Sequence, residues 1–357
     1  MKYYISREDE EETLQCVLCP HSCTLPTGMS GICKVRHNHK GQGETPFYSF
    51  VTSIGLDPIE KKPLYHFRPN SSIFSVGFAG CNLRCPFCQN CHISQRTDAP
   101  GRHIPPEELI RAAQKDCSQI AYTYSEPLVH IEYLLDCMTE ARKNNIANVL
   151  VTNGCVNSEA AREILSLTDA ANIDLKCFSQ ETYSKILGGD LETVLNFIRI
   201  ACEMGVHVEL TTLVVPCLND SEQELNACVD FIAGLQNAGD MISDKPSIRT
   251  IKPIKSNPIK PSIPWHLSAY HPDWKWKAPP TSPEFLTNWA AKARQRLAFV
   301  YTGNIGESND TFCPHCGKIL VSRWAYNVNT AGLSLQKKNG KSIYTCAFCG
   351  KEAPIRA

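Results

Sequence analysis

The sequence predicts an α/β protein: a partial or complete (β/α) barrel over residues 46–305, flanked by an N-terminal cysteine-rich metal module (1–45) and a C-terminal zinc-ribbon-like domain (306–357). Three observations carry this. From 73 to 302, short β-rich runs alternate with stretches of helical period, a rhythm that implies βαβ units and a parallel sheet. The 19 cysteines gather largely in CxxC-type spacings, at both ends and once in the middle. Hydrophobic residues are 43% of 357, enough for one large core with smaller attachments.

Taken in order, the first unit is CVLCPHSCTLPTGMSGICKVR (16–36). Cys16, Cys19 and Cys23 form a CxxCxxxC run, and Cys33 follows Gly31. Four thiols make a closed site suited to zinc or to an auxiliary [4Fe-4S] cluster, and spacing leaves both open. The barrel follows. Its strands are read in SIFSVGF, QIAYTY, NVLVTN, NIDLK, HVELTTLVV and LAFVYTG, with EPLVHIEYLLDCMTEARKN and SEQELNACVDFIAGLQNA among the helices. About six such units with right-handed crossovers should curl into the barrel. Repeated Lys and Pro over 239–263 interrupt the rhythm and predict an exposed, mobile insertion. The last unit holds CPHCGK (313–318) and CAFCGK (346–351). Cys313, Cys316, Cys346 and Cys349 then supply a tetrahedral zinc ion, with Gly317 and Gly350 turning each knuckle.

Charge narrows the partners. Lys plus Arg equals Asp plus Glu at 36 each, so no excess positive charge exists to hold nucleic acid or an anionic membrane. No run of ~18 apolar residues is present to span a bilayer. The opening MKYYISREDEEE is acidic, unlike a secretory signal, and a cytoplasmic protein is expected. In a reducing compartment so many thiols point to metal ligation rather than disulfides.

The central cluster is GFAGCNLRCPFCQNC (77–91). SIFSVGFAG reads as the first barrel strand, and active sites lie at the C-terminal ends of barrel strands. Cys81, Cys85 and Cys88 can each take a different iron of a [4Fe-4S] cube, leaving the fourth iron open. An open iron can bind the amino and carboxylate groups of S-adenosylmethionine, and one electron passed to the sulfonium yields a 5'-deoxyadenosyl radical. Closing the cube with Cys91 would remove that vacancy, so Cys91 is expected to remain a free thiol near the mouth. Such a cofactor needs polar groups from several strand ends. Thr152 and Asn153 of VTNG suit ribose or carboxylate; Lys176 of DLK suits the carboxylate, with Asp174 orienting it or binding ribose. Val214, Val215 and Pro216 would wall the adenine. Cys155, Cys177 and Cys217 follow strand ends and join Cys91 as candidate hydrogen donors or substrate ligands, whereas Cys137, Cys202 and Cys228 belong to helix cores.

GCNLRCPFC resembles the signature of the radical S-adenosylmethionine superfamily, whose fold is a partial or complete (β/α) barrel. The resemblance implies that Phe87 packs near the adenine, that Ser125 and Glu126 of AYTYSEP bind the methionyl amine with local carbonyls, and that His266 is a late-barrel histidine near the cofactor. The N-terminal cysteine run, DPIEKKPLYHF (57–67), YTYSEP, PWHLSAYHPDW (264–274) and the terminal ribbon, in this order, resemble the radical enzyme of the AmmeMemoRadiSam system. That group is similar to pyruvate formate-lyase activating enzymes, and its companions are Memo-like and AMMECR1-like proteins. Cys91, where the group commonly has an aromatic residue, and the 239–263 insertion depart from the pattern. The implied activity is reductive cleavage of S-adenosylmethionine, served by an electron donor, followed by hydrogen abstraction from an unidentified substrate. Two alternatives stand beside it: an activase for a glycyl-radical enzyme, and a non-catalytic metal-binding adaptor.

Overall fold

The computed structural model describes residues 1–7, 12–235, 263–338 and 340–357. The Lys/Pro-rich insertion expected at 239–263 lies outside the described residues, apart from Ile263, which is buried. Among the described residues no helix is long and apolar enough to cross a membrane.

The central sheet runs β1 (Ser53–Pro58), β2 (Ser72–Gly77), β3 (Gln119–Thr123), β4 (Ala147–Thr152), β5 (Ala170–Asp174), β6 (His207–Val214), β7 (Trp265–Ala269), β8 (Val300–Gly303), neighbours in space as in sequence. β1 pairs antiparallel with β2, and every later pair is parallel. The expectation of about six strands is corrected by WHLSA, a buried parallel strand, and by SIGLDP, an edge strand. Short length and residues such as His, Ser, Gly and Asp hide both from a pattern reading.

Because each strand is added on the same side of the last, right-handed crossovers place all the helices on one face. These are α1 (Pro106–Asp116), α2 (Ile131–Lys143), α3 (Ser158–Leu165), α4 (Leu191–Glu203), α5 (Glu222–Gly234) and α6 (Pro283–Ala293). α2 buries Ile131, Leu134, Cys137, Met138 and Ala141, the stripe its period predicts. Local chemistry sets the starts. Asp190 accepts from the Thr193 amide at 2.8 Å and Ser221 from that of Glu224 at 3.2 Å, caps worth about 1 kcal/mol each.

The other face of the sheet is the barrel interior. Among the described residues β1 and β8 are the ends of the strand order, so the barrel is partial. Its floor is a plug: Ile59, Leu64 and Phe67 pack on Ile73, Ala121, Ala147, Val149 and Ala170. Glu209 of β6 accepts the amides of Tyr65 (3.0 Å) and His66 (2.7 Å), and Asn172 of β5 donates to Pro63 O (2.8 Å). The terminal ribbon seals the plug from outside. Arg356 N–H donates to His66 O (2.8 Å), and buried Arg323 donates to Tyr65 O (2.7 Å).

The N-terminal module, an antiparallel sheet of Tyr4–Ser6, Leu14–Cys16 and Thr24–Leu25, docks on the helical side. Buried Arg36 meets both carboxylate oxygens of Glu132 on α2, at 2.9 and 3.0 Å.

Candidate active site at the barrel mouth

Beyond Gly77, residues 78–95 leave β2 as the loop that carries the three central cysteines. Gly80 takes φ +83°, and the place of a Cβ is filled by Cys33 O at 2.6 Å and Val35 Cγ2 at 2.5 Å. Only glycine meets both demands. The rest of the loop is tied to remote segments. Asn82 Nδ2 donates to Cys155 O (2.7 Å), and Asn82 O meets His21 Nε2 (2.8 Å). The Arg84 amide donates to Leu187 O (2.8 Å). Pro86 O accepts from the amides of Lys275 (2.9 Å) and Trp276 (3.0 Å), which places the segment after HPDW as a clamp on the cysteine loop. Asn90 Nδ2 donates to Tyr124 O (2.6 Å).

A cavity of about 590 Å³ opens before this loop, a size that suits a small-molecule site. Cys81, Cys85, Cys88, Phe87, Ser125, Glu126, Thr152, Asn153, Asp174 and Lys176 all line it, so residues predicted from four separate strand ends converge. Cys81 Sγ accepts the Leu83 amide at 3.3 Å and lies 3.8 Å from Asn153 Nδ2; Cys88 Sγ stands 3.2 Å from Ser94 Oγ. Burial pushes the Cys85 thiol up to about 11, against the pull of Lys176. Lys176 Nζ pairs with Asp174 Oδ2 at 2.9 Å. Burial disfavours its charge, but Asp174 and Cys85 outweigh burial and hold its pKa above the ordinary lysine value. A fixed cation therefore stands beside the thiols.

Two predicted residues are held by the protein's own groups. The Glu126 carboxylate accepts three hydrogen bonds from the protein: Oε1 from Thr152 Oγ1 (2.6 Å) and the Leu128 amide (3.0 Å), and Oε2 from the Asn153 amide (2.8 Å). Burial pushes its pKa up to about 7 in spite of these donors. It positions the ends of β3 and β4. The neighbouring Ser125 Oγ is the reverse, buried with no hydrogen-bond partner among the described residues.

His266 is not on the cavity wall. It lies at the second position of β7, and its Nε2 is 2.7 Å from Glu209 Oε2 in a buried network with His207 and the plug. A strand's inward residues alternate along its length, and only Ser268, two residues on, reaches the cavity. Val214 and Val215 are fully buried in the core, and β6 shows the cavity Thr211 and Leu213 instead. Of the four uncommitted thiols, Cys155 and Cys177 are buried and Cys217 is exposed, and none of these, nor Cys91, lines the cavity. Cys91 opens the short helix Cys91–Ser94. Cys137, Cys202 and Cys228 are buried in helices as expected.

Sequence reasoning missed a wall. Lys61, Lys62 and Pro63, from the top of the plug, line the cavity with Tyr124. Lys62 Nζ (2.7 Å), Lys61 Nζ (2.8 Å) and Tyr124 Oη (2.6 Å) converge on Asp57, and Lys62 sits over the Tyr124 ring. Burial would raise the Asp57 pKa, but these donors hold it well below the usual carboxylate range. The i, i+4 spacing of Asp57 and Lys61 was a visible signal; their place under the mouth was not. Tyr326, from the terminal ribbon, also reaches the cavity.

The ribbon cysteines behave differently from the triad. Cys313 and Cys349 Sγ are 3.8 Å apart and Cys316 and Cys346 Sγ 3.7 Å. Four thiolates 2.3 Å from one ion form a tetrahedron with edges of about 3.8 Å, so this set can bind a single metal ion. Gly317 and Gly350 each take φ +71° as predicted. Among the described residues it is the one group of three or more metal-binding side chains whose donor atoms all lie within 4.8 Å.

Residues 75–232 match the model of the radical SAM superfamily. Over 355 residues, 97% of this chain and 96% of the relative, the sequence is 33% identical to an uncharacterised protein of Methanocaldococcus jannaschii. It is 28% identical to the pyruvate formate-lyase-activating enzyme of Clostridium pasteurianum over 169 residues, 45% of this chain and 70% of that enzyme. A solved domain of the pyruvate formate-lyase-activating enzyme from Bacteroides vulgatus aligns with a TM-score of 0.40 at 19% identity, covering 52% of this chain and 98% of that one. Joined to the cysteine triad and a mostly parallel sheet, the family-model match and the sequence relatives show that the chain belongs to the radical SAM superfamily and is a radical SAM enzyme.

Proposed function

We propose that this enzyme is the radical component of an AmmeMemoRadiSam system, cleaving S-adenosylmethionine to abstract a hydrogen atom from a substrate presented with Memo-like and AMMECR1-like partners. The family implies a [4Fe-4S] cluster and S-adenosylmethionine, and the residues present fit both. Three thiols share one loop at the cavity, Ser125 offers a buried hydroxyl without a partner, and Lys176 supplies a cation. That convergence is the observation that carries the reading. When bound, the cluster supplies one electron to the sulfonium, which gives a 5'-deoxyadenosyl radical.

In this reading the chain's own groups bind and orient. Cys81, Cys85 and Cys88 hold three irons. Ser125, with nearby carbonyls, takes the methionyl amine, and Lys176 takes the carboxylate while Asp174 steadies it. Phe87, a buried residue of the cysteine loop, packs near the adenine. Glu126 and Asn153 hold the strand ends that present these groups, and Asn153 also reaches Cys81. Cys313, Cys316, Cys346 and Cys349 would hold a zinc ion in the ribbon that abuts the plug, and an external one-electron donor would complete the system. A second reading, activation of a glycyl-radical enzyme, is favoured by the 28% identity to a pyruvate formate-lyase-activating enzyme.

Anaerobic reconstitution with iron and sulfide, reduction with dithionite, and mass detection of 5'-deoxyadenosine test the proposal. Product is expected from the reconstituted chain and not from the chain lacking Cys81, Cys85 and Cys88. Equal product from both, or none from either, overturns it. Transfer of deuterium from a labelled glycyl segment into 5'-deoxyadenosine would favour the activase reading.

A further inference from the structure

We infer that Cys16, Cys19, Cys23 and Cys33 hold a second [4Fe-4S] cluster, seated against the back of the loop that carries Cys81. The donor set is four thiols. The adjacent imidazole, His21, is committed through Nε2 to Asn82 O at 2.8 Å and does not compete as a ligand through that atom.

Two of the sulfurs, those of Cys23 and Cys33, border Gly31. A Cβ there would lie 3.6 Å from Cys23 Sγ and 3.8 Å from Cys33 Sγ, so a side chain would occupy the space between them. The Cys16 amide donates to Cys23 O at 2.9 Å, closing the turn that bears the first three thiols. Cys16, Cys19 and Cys33 are buried.

Spacing separates the metals. A single ion draws its thiolates to about 3.8 Å, the arrangement of the ribbon. No three donor atoms of the N-terminal set lie within 4.8 Å of one another, and the same holds for the triad. Thiolates bound to separate irons of a cube stand apart in this way. Location adds a consequence. Cys33 O and Val35 fill the Cβ position of Gly80, the residue before Cys81, so the two cysteine-bearing loops are in direct contact.

The test uses the full chain with Cys81, Cys85 and Cys88 all replaced by Ala, reconstituted anaerobically with iron and sulfide. About four irons and four sulfides per chain are expected to remain, with visible absorption that dithionite bleaches and a reduced-cluster electron paramagnetic resonance signal. In the otherwise native chain, Cys19→Ser with Cys33→Ser should lower iron from about eight to about four per chain. A second zinc without labile sulfide in the triad variant overturns the inference, as does iron no higher than in a chain lacking all seven thiols. Since iron, sulfide and resonance are read without S-adenosylmethionine, failure here is distinct from failure of the proposed cleavage. If the N-terminal variant does not fold, the triad variant still decides.

Discussion

The ribbon and the barrel mouth both gather cysteines, and they do so by opposite means. In the ribbon two knuckles, each turned by a glycine, bring four sulfurs to single-ion distance with little outside help. At the mouth three sulfurs sit on one loop whose shape is imposed by His21, Cys155, Leu187, Trp276 and Tyr124. A closed metal site is thus a local product of spacing. An open one, with room for a ligand, needs the rest of the fold to hold it open.

That contrast can be broken by substitution. The largest effect should come from Cys85→Ala, which removes one of the three thiols proposed to hold the cluster and should take 5'-deoxyadenosine formation to the assay background; Cys316→Ser should instead abolish metal binding by the ribbon while cleavage continues. Equal losses of activity from both would erase the distinction. Next is Glu132→Ala. It strands the buried Arg36 guanidinium in the module that backs the triad loop, and breaking such a pair costs about 3–5 kcal/mol, read from the urea midpoint. A loss under about 1 kcal/mol would show that the module is only loosely docked.

Glu126 sharpens the comparison through pH. Its folded pKa of about 7 lies above the ordinary 4.5, so the folded state binds this proton more tightly than the unfolded chain. Its contribution is full below about 4.5 and is lost as pH rises through about 7, a swing of ~3 kcal/mol. Glu126→Gln should flatten stability measured from pH 5 to 8, and an unchanged slope would count against burial as the cause. Asn153→Ala removes a donor near Cys81 Sγ, and should cost about 10–100-fold in cluster affinity or cleavage rate. The smallest effect belongs to Gly317→Ala. Open space surrounds that position, leaving only the left-handed backbone to penalise, about 1–2 kcal/mol in thermal unfolding of the metal-loaded chain.

Legibility followed the same division. The ribbon knuckles could be read because spacing along the chain is itself the ligand geometry, and the triad because its spacing is a motif, although distant segments set the shape of its loop. The strand-end residues at 125–126, 152–153 and 174–176 were legible as places, since parallel strands all deliver their C-terminal ends to one rim. Their tasks were less so. Glu126 also braces two strand ends, and His266, a residue with an obvious polar reputation, faces Glu209 far down its strand. Lys61 and Lys62 sit in DPIEKKPLYHF, before the first strand read from the sequence, yet this segment folds into the barrel and presents them beneath the mouth.

By itself the amino-acid order determined the alternation of strands and helices, the three-thiol loop and the four-thiol knot, because hydrophobic period and ligand spacing act over a few residues. Which side chains face the cavity was decided only in three dimensions. Partners for Glu126, His266 and Asp57 come from distant strands and from the plug, and a buried polar group takes whichever partner the packed core brings within reach.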